Sequence, residues 1–253
     1  MVKVVLKFTE EYEKFCKGDA LGARIISQLD AYGTQHGFAL FWEQRDDNCN
    51  LTAMISSIDN SVTILGKDSN AEEIKEFINF IGYGSISTTP QLAKQICSDC
   101  NINIRTIMKF NNASFSKSIK DVDDLCENID LKQIYDIISF CHNTPRTKHG
   151  FEVWFTDMSH RIRHGYADAV AAQVGDKIAS CALALASTHT DVLLGGVATL
   201  DDYRNRGLAK KCIYELIKRN KGKNIFIFCK DDKIDFYTKL GFEKYSLTAE
   251  VGL

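Results

Sequence analysis

The residues Asp201-Asp202-Tyr203-Arg204-Asn205-Arg206-Gly207-Leu208-Ala209 concentrate the most telling chemistry in the chain. They follow an apolar segment, Val192 to Leu200, interrupted by Gly195-Gly196. They run directly into a helical pattern with Leu208, Cys212, Ile213, Leu216 and Ile217 on one face. A helix that starts at the end of a strand presents unpaired backbone N–H groups and the positive end of its dipole, which favours a phosphate. Gly207 lets a ligand approach the backbone, and Arg204 and Arg206 supply fork-shaped donors suited to a pyrophosphate. The plainer alternative is a helix-starting turn with two solvated arginines.

The surrounding segments argue against the plainer alternative. Ile225-Phe226-Ile227-Phe228-Cys229 is apolar at every position, as a strand buried on both faces must be, and completes a strand, helix, parallel strand unit. Arg204-Asn205-Arg206-Gly207-Leu208-Ala209 matches the R/Q-x-x-G-x-G/A signature of the GNAT acyltransferase superfamily. Val197-Ala198-Thr199 before it and Phe236-Tyr237-Thr238-Lys239-Leu240-Gly241-Phe242 after it stand in the family's order. On these motifs the chain resembles a GNAT acyl-CoA-dependent N-acyltransferase over about residues 111–253, most strongly from Val192 onward.

The resemblance implies that Val197, Ala198 and Thr199 pair with the pantetheine arm of acetyl-CoA. It implies that Arg204, Asn205, Arg206, Gly207, Leu208 and Ala209 hold the pyrophosphate. By the same likeness the main-chain N–H near Val197 or Ala198 polarises the thioester carbonyl, and Tyr237 is the general acid toward the coenzyme A sulfur. A phenol suits that task because its usual pKa of about 10 keeps it protonated at neutral pH. The implied reaction is direct acetyl transfer to the primary amine of a small-molecule or peptide acceptor, without a covalent enzyme intermediate.

Two positions depart from the family pattern. The family's strand glutamate falls near Leu193, which cannot accept a proton, and Asp191 is the nearest substitute as general base. Lys230 stands seven residues before Tyr237, where many relatives carry an asparagine that contacts the cofactor. These departures motivate a second reading, an acyl-CoA-binding regulatory or sensor protein with little transfer activity.

The segment Phe151 to Gly165 resembles the helix that borders the family's acceptor pocket. Asp157 and Arg161 are four apart, as are His160 and His164, so each pair shares a helix face. The histidines lack a third ligand, and no metal is expected. Cys97 and Cys100 form a C-x-x-C without a second pair, and with nine cysteines in all the expectation is reduced thiols without function.

The elements that must position this chemistry read as a mixed α/β chain. A GNAT fold is expected over 111–253, preceded by a smaller α+β domain over 1–110, with the boundary at Asn111-Asn112-Ala113-Ser114. In the first domain, Phe38 to Glu43, Leu51 to Ser56 and Val62 to Leu65 read as an antiparallel meander. Asn70 and Glu73 form a capping box before a helix ended by Gly82, and Thr89-Pro90 starts a shorter helix. An extended segment then runs from Ile102 to Phe110. This order also fits a degenerate structural copy of the second domain, without a second pyrophosphate loop. In the second domain, Asp130 caps a helix, Phe151 to Ile162 forms another, and two strands meet at Gly175-Asp176.

At 253 residues with 45% hydrophobic and 25% charged side chains, the chain has the composition of two modest folded domains. A formal net charge of −2 gives no electrostatic reason to expect nucleic acid or an anionic membrane as partner. No apolar run approaches the ~20 residues of a membrane span, and the expected location is the cytoplasm. For the N-terminal domain the expected roles are a cover for the acceptor pocket or a homodimer contact.

Overall fold

The computed structural model describes residues 1–97, 100–112, 125–126 and 129–252. Ala113 and Ser114 of the expected linker, and Ser98-Asp99 within the C-x-x-C, lie outside the described residues. The chain forms two compact units, one from Met1–Lys109 with Phe226–Leu253, the other from Phe110–Ile225.

In chain order the elements begin with β1 (Val2–Val4), α1 (Glu10–Cys16), α2 (Ala20–Tyr32), β2 (Ala39–Arg45), β3 (Leu51–Ile58) and β4 (Ser61–Gly66). Then come α3 (Ala71–Ile81), β5 (Ser85–Thr88), α4 (Pro90–Ile96) and β6 (Ile102–Phe110). The second unit contributes α5 (Leu131–Cys141), α6 (Lys148–Arg163), β7 (Asp168–Val174), β8 (Lys177–Ser187), β9 (Asp191–Thr199) and α7 (Leu208–Arg219). The chain closes with β10 (Asn224–Cys229), α8 (Ile234–Lys239) and β11 (Phe242–Gly252).

In the first unit the strands lie in the order β1-β2-β3-β4-β5-β11-β6-β10. The expected meander is present, with β2 against β3 and β3 against β4 antiparallel, whereas β4 and β5 run parallel. Both faces of this sheet are covered. Ala53, Ile55, Val62 and Ile64 join Ile74 and Ile78 of α3, while Met54 and Leu65 join Leu21, Ile25 and Leu29 of α2. The period-2 alternation of the strands sends neighbours to opposite helices.

Local signals account for the helix starts. Asn70 accepts from Glu73 N at 3.1 Å and Thr89 from Leu92 N at 3.3 Å, as cap chemistry requires. The expected capping box is only half made. The Glu73 carboxylate turns to the edge strand and accepts from Val2 N at 2.6 Å, so the amide of Asn70 donates to Gln44 Oε1 at 2.9 Å. Cys97 and Cys100, expected as thiols, are instead joined as a disulfide with Cα atoms 5.7 Å apart at the end of α4.

In the second unit β7, β8 and β9 form an antiparallel meander turned at Gly175-Asp176. Ile134, Ile137 and Met158 from α5 and α6 cover one face with Ala169, Ala171, Cys181, Leu183 and Ala198, and α7 contacts β7 and β8. Alanines dominate β7 and the middle of β8, and their small side chains let helices approach closely.

Irregularity in β9 governs this unit. Register slips between Cys181–Ala198 and Leu183–Gly195, and again at Ala184/Ala186, where Leu185 is the extra residue. Gly196 has φ +56°, and a Cβ there would come within 2.8 Å of Leu183 Cδ1 and 3.1 Å of Ile138 Cδ1. A side chain would therefore meet both strain and crowding. The carbonyl of Leu185 is taken by Arg161 Nη1, and the same guanidinium grips Asp157 through Nε at 2.9 Å and through Nη2. Arg161 is 8% exposed, so a helix pair expected on sequence spacing becomes a buried clamp on a bulged strand.

Replacing Arg161 with Met should lower stability by about 3 kcal/mol, because it removes the charged partner of the partly buried Asp157 carboxylate and a donor to the Leu185 carbonyl. Urea unfolding measures this. A change below ~0.5 kcal/mol would show that the clamp is not needed.

Candidate acyl-CoA site

Strand β9 delivers the chain to a short turn at Asp201–Tyr203, after which Arg204 to Gly207 lead into α7. The Thr199 carbonyl accepts from Arg204 Nε at 3.3 Å and from the Cys141 thiol at 3.4 Å, tying the loop to β9 and α5. Arg204 also pairs with Asp201 at 2.7 Å. Arg206 donates to the Asp202 carbonyl at 2.9 Å and lies over the Tyr203 ring at 5.2 Å. Both guanidinium groups are held in place by short-range partners while their residues remain exposed.

Asn205 has φ +62° and Gly207 φ +79°, backbone of the kind that builds anion-binding concavities. Gly207 is the N-cap of α7 and offers no capping side chain. The other long helices are closed by Asp19, Asn70, Asp130 and Thr147. Among the described residues nothing accepts from the amides of Leu208, Ala209 or Lys210, while Lys211 N bonds to the Gly207 carbonyl at 3.0 Å. A Cβ on Gly207 would meet no atom within 4 Å, so the space before the helix is open. An uncapped helix start, flanked by two arginines and open in front, fits a pyrophosphate.

Val197, Ala198 and Thr199 occupy the bulged end of β9, adjoining the loop in sequence. Ser180 Oγ donates to the Ala198 carbonyl at 2.9 Å and meets Thr199 Oγ1 at 2.8 Å. Burial raises the thiols of Cys141 and Cys181, and pushes Cys212 up to about 12, which removes them as thiolate nucleophiles.

Asp191 lies elsewhere in chemical terms. It is 2% exposed at the start of β9, where Oδ2 accepts from Thr190 Oγ1 at 2.7 Å and Oδ1 from Asn224 Nδ2 at 2.8 Å. Thr188 Oγ1 accepts from its amide at 2.9 Å. These bonds anchor a turn and give the carboxylate a structural task that its selection as a base did not foresee. Burial lowers the pKa of the neighbouring Lys223, against the opposing pull of Asp191.

Tyr237 belongs to the first unit, on α8, and is 7% exposed between Phe236 and Phe242 at ring distances of 5.0 and 5.8 Å. Burial, followed by the nearby Cys229 thiol, drives its phenol above the ordinary value. No described residue takes a hydrogen bond from its hydroxyl. Lys230 is exposed at the start of the preceding turn. His160 and His164 lie with ring centres 4.6 Å apart and their planes tilted by 49°, and no group of three or more His, Cys, Asp or Glu among the described residues could hold a metal ion. No described helix is long and apolar enough to cross a membrane.

The Cys141 contact with Thr199 was missed from sequence. Its signal was present, because Ile134, Ile137, Ile138 and Cys141 share a helix face and that face had to meet the sheet.

The second unit is thus a mixed α/β fold whose meander leads into a helix start open to an anion. Residues 131–242 match the model of the acetyltransferase (GNAT) family, and this segment is a GNAT acetyltransferase domain. No curated protein sequence matches the chain significantly. Among solved structures, a GCN5-related N-acetyltransferase-like protein from Streptococcus suis is 18% identical, covering 96% of this chain and 99% of its own, with a TM-score of 0.57. A Drosophila protein is 11% identical over 100% of this chain and 98% of its own, at a TM-score of 0.66. A tandem GNAT protein from the clavulanic acid biosynthesis pathway is 11% identical over the same shares, at 0.58. At these identities the likeness is one of fold, and it extends along the whole chain.

Gly207→Val should weaken acetyl-CoA binding at least about tenfold, equivalent to ~1.4 kcal/mol. Gly207→Asn separates the causes, because asparagine tolerates the left-handed conformation while still filling the approach. Calorimetry on both folded variants decides, and wild-type affinity in each would remove the loop from the site.

Proposed function

We propose that the protein transfers an acetyl group from acetyl-CoA to a primary amine of a small-molecule or peptide acceptor, in a ternary complex. The observation that carries this reading is the uncapped start of α7 behind Gly207, with Arg204 and Arg206 beside it. In this proposal the transferase domain spans 111–253 and the N-terminal domain 1–110, and the protein works in the cytoplasm.

The amides of Leu208, Ala209 and Lys210 and the two guanidinium groups bind the pyrophosphate, and Val197 to Thr199 offer main chain to the pantetheine arm. Bound acetyl-CoA supplies an activated thioester. The N–H of Val197 or Ala198 stabilises oxyanion charge, a task for which a fixed backbone donor needs no reorganisation. Tyr237 releases the proton of its phenol oxygen to the departing thiolate as the C–S bond breaks, and the proton that the nitrogen loses as the amide forms restores the phenol through water. With Asp191 engaged at the turn, water removes the proton from the acceptor ammonium. Asp191→Asn is therefore expected to affect stability more than turnover.

Tyr237→Phe should reduce turnover about ten- to a thousand-fold with little change in acetyl-CoA affinity. Because burial raises the phenol's pKa, Tyr237 keeps its proton as pH rises from 7 to 9, and no loss of activity in that range should arise from it. Single-turnover transfer with an amine panel provides the measurement. Wild-type rates in the variant would make Tyr237 a packing residue. Binding of acetyl-CoA with no transfer to any amine would favour a sensor.

A further inference from the structure

The second unit contains a cavity of about 480 Å³ beside α5, roofed by the segment after that helix and walled by the β7–β8 hairpin and the end of β9. This volume lies within the range typical of small-molecule sites. Its apolar wall is made by Ile137, Phe140, Ile178 and Leu200. Ile137 and Ile178 are buried, but Phe140 is 65% exposed, an unusual position for a phenylalanine with an apolar cavity at its side.

Three charged residues also line it: Asp136, Arg146 and Lys177. Asp136 Oδ1 is buried without a hydrogen bond. Arg146 Nη2 lies 2.7 Å away, within ion-pair distance but without the alignment of a hydrogen bond. The Asp136 carboxylate is thus already paired with Arg146, and it keeps acceptor capacity for a further donor supplied by a ligand. Lys177 is exposed at the hairpin and makes no ion pair with any described residue. The cavity therefore offers a carboxylate able to accept a further donor, a cation without an ion-pair partner among the described residues, and an apolar wall.

We infer that this cavity binds a small zwitterion with an apolar body, namely a free α-amino acid with a large apolar side chain. Its ammonium meets Asp136, its carboxylate meets Lys177 with Arg146 alongside, and its side chain lies on Ile137, Phe140, Ile178 and Leu200. A simple carboxylate would leave the remaining acceptor capacity of Asp136 unused, and a simple amine would leave Lys177 unmatched. Only Leu200 of these residues adjoins the acyl-CoA loop in sequence, and the inference does not rest on the acyl-transfer reading.

Calorimetry on the full chain without acyl-CoA tests it, using L-phenylalanine, phenylalaninamide, which lacks the carboxylate, and 3-phenylpropionate, which lacks the ammonium. L-Phenylalanine should bind with a Kd between about 10 µM and 1 mM, and each analogue at least about tenfold more weakly. Lys177→Gln, a change at an exposed side chain, should weaken L-phenylalanine at least about tenfold, and Asp136→Asn likewise in a folded variant. No binding up to about 10 mM, equal binding of either analogue, or unchanged affinity in Lys177→Gln would overturn the inference. None of those failures would bear on acetyl-CoA binding at Gly207.

Discussion

Strand β9 carries Gly195 and Gly196 at its centre and slips register against β8, and much of the second unit follows from that irregularity. Gly196 turns through a positive φ where Leu183 and Ile138 leave no room for a Cβ. The slip on β9 is answered by a bulge at Leu185 on β8, whose carbonyl accepts from Arg161. Asp157 then holds the guanidinium, so α6 is locked to the irregular strand through one side chain. The irregularity is stabilised from outside the strand, as expected of strain kept for a purpose.

The same strand sets the loop beyond it. The Thr199 carbonyl, at the end of β9, receives both Arg204 and Cys141, so the position of the first arginine depends on the register inherited from the bulge. Arg204 and Arg206 are then shaped by contacts within five residues, to Asp201, Thr199 and Asp202. Surface ion pairs of this kind contribute little stability, roughly 0–1 kcal/mol. Their use here is geometric, because a side chain with few rotamers left loses less freedom when a ligand arrives.

Much of this was legible in the sequence because its signals are local. Asp130 as a cap, Gly175-Asp176 as a hairpin turn, the all-apolar β10 and the amphipathic face of α7 need only a few neighbouring residues to be read. What escaped depends on partners distant in the chain. Helix α2 is buried from Ala20 to Ala23 and from Ile25 to Leu29, including Gly22, where a Cβ would strike the Cys16 carbonyl at 2.2 Å, and burial on nearly all sides blurs the amphipathic period. Strand β11 carries an exposed run at Glu243 to Leu247 and reads as loop until β5 pairs with it. The disulfide of Cys97 and Cys100 and the convergence of Asp136, Arg146 and Lys177 belong to the same class, since spacing alone does not report which thiols or charges meet. For Asp191 the sequence showed an acid on the correct strand, but not that Thr190 and Asn224 had claimed both oxygens.

The helix start at Gly207 shows how a missing interaction can be informative. Side-chain caps are worth about 0.5–2 kcal/mol, and the sequence places one at each of the other long helices. At α7 it places a glycine in the left-handed region and leaves three amides without acceptors among the described residues. A stability argument alone would favour Ser or Asp there. Yet a carboxylate cap would occupy the amides and repel a phosphate, and a hydroxyl would compete for them. Glycine leaves the dipole unanswered until an anion arrives, so the interaction withheld from folding becomes available to binding. The apolar face of α7, with Cys212, Ile213 and Leu216 almost wholly buried, is what allows the helix to persist with an open end.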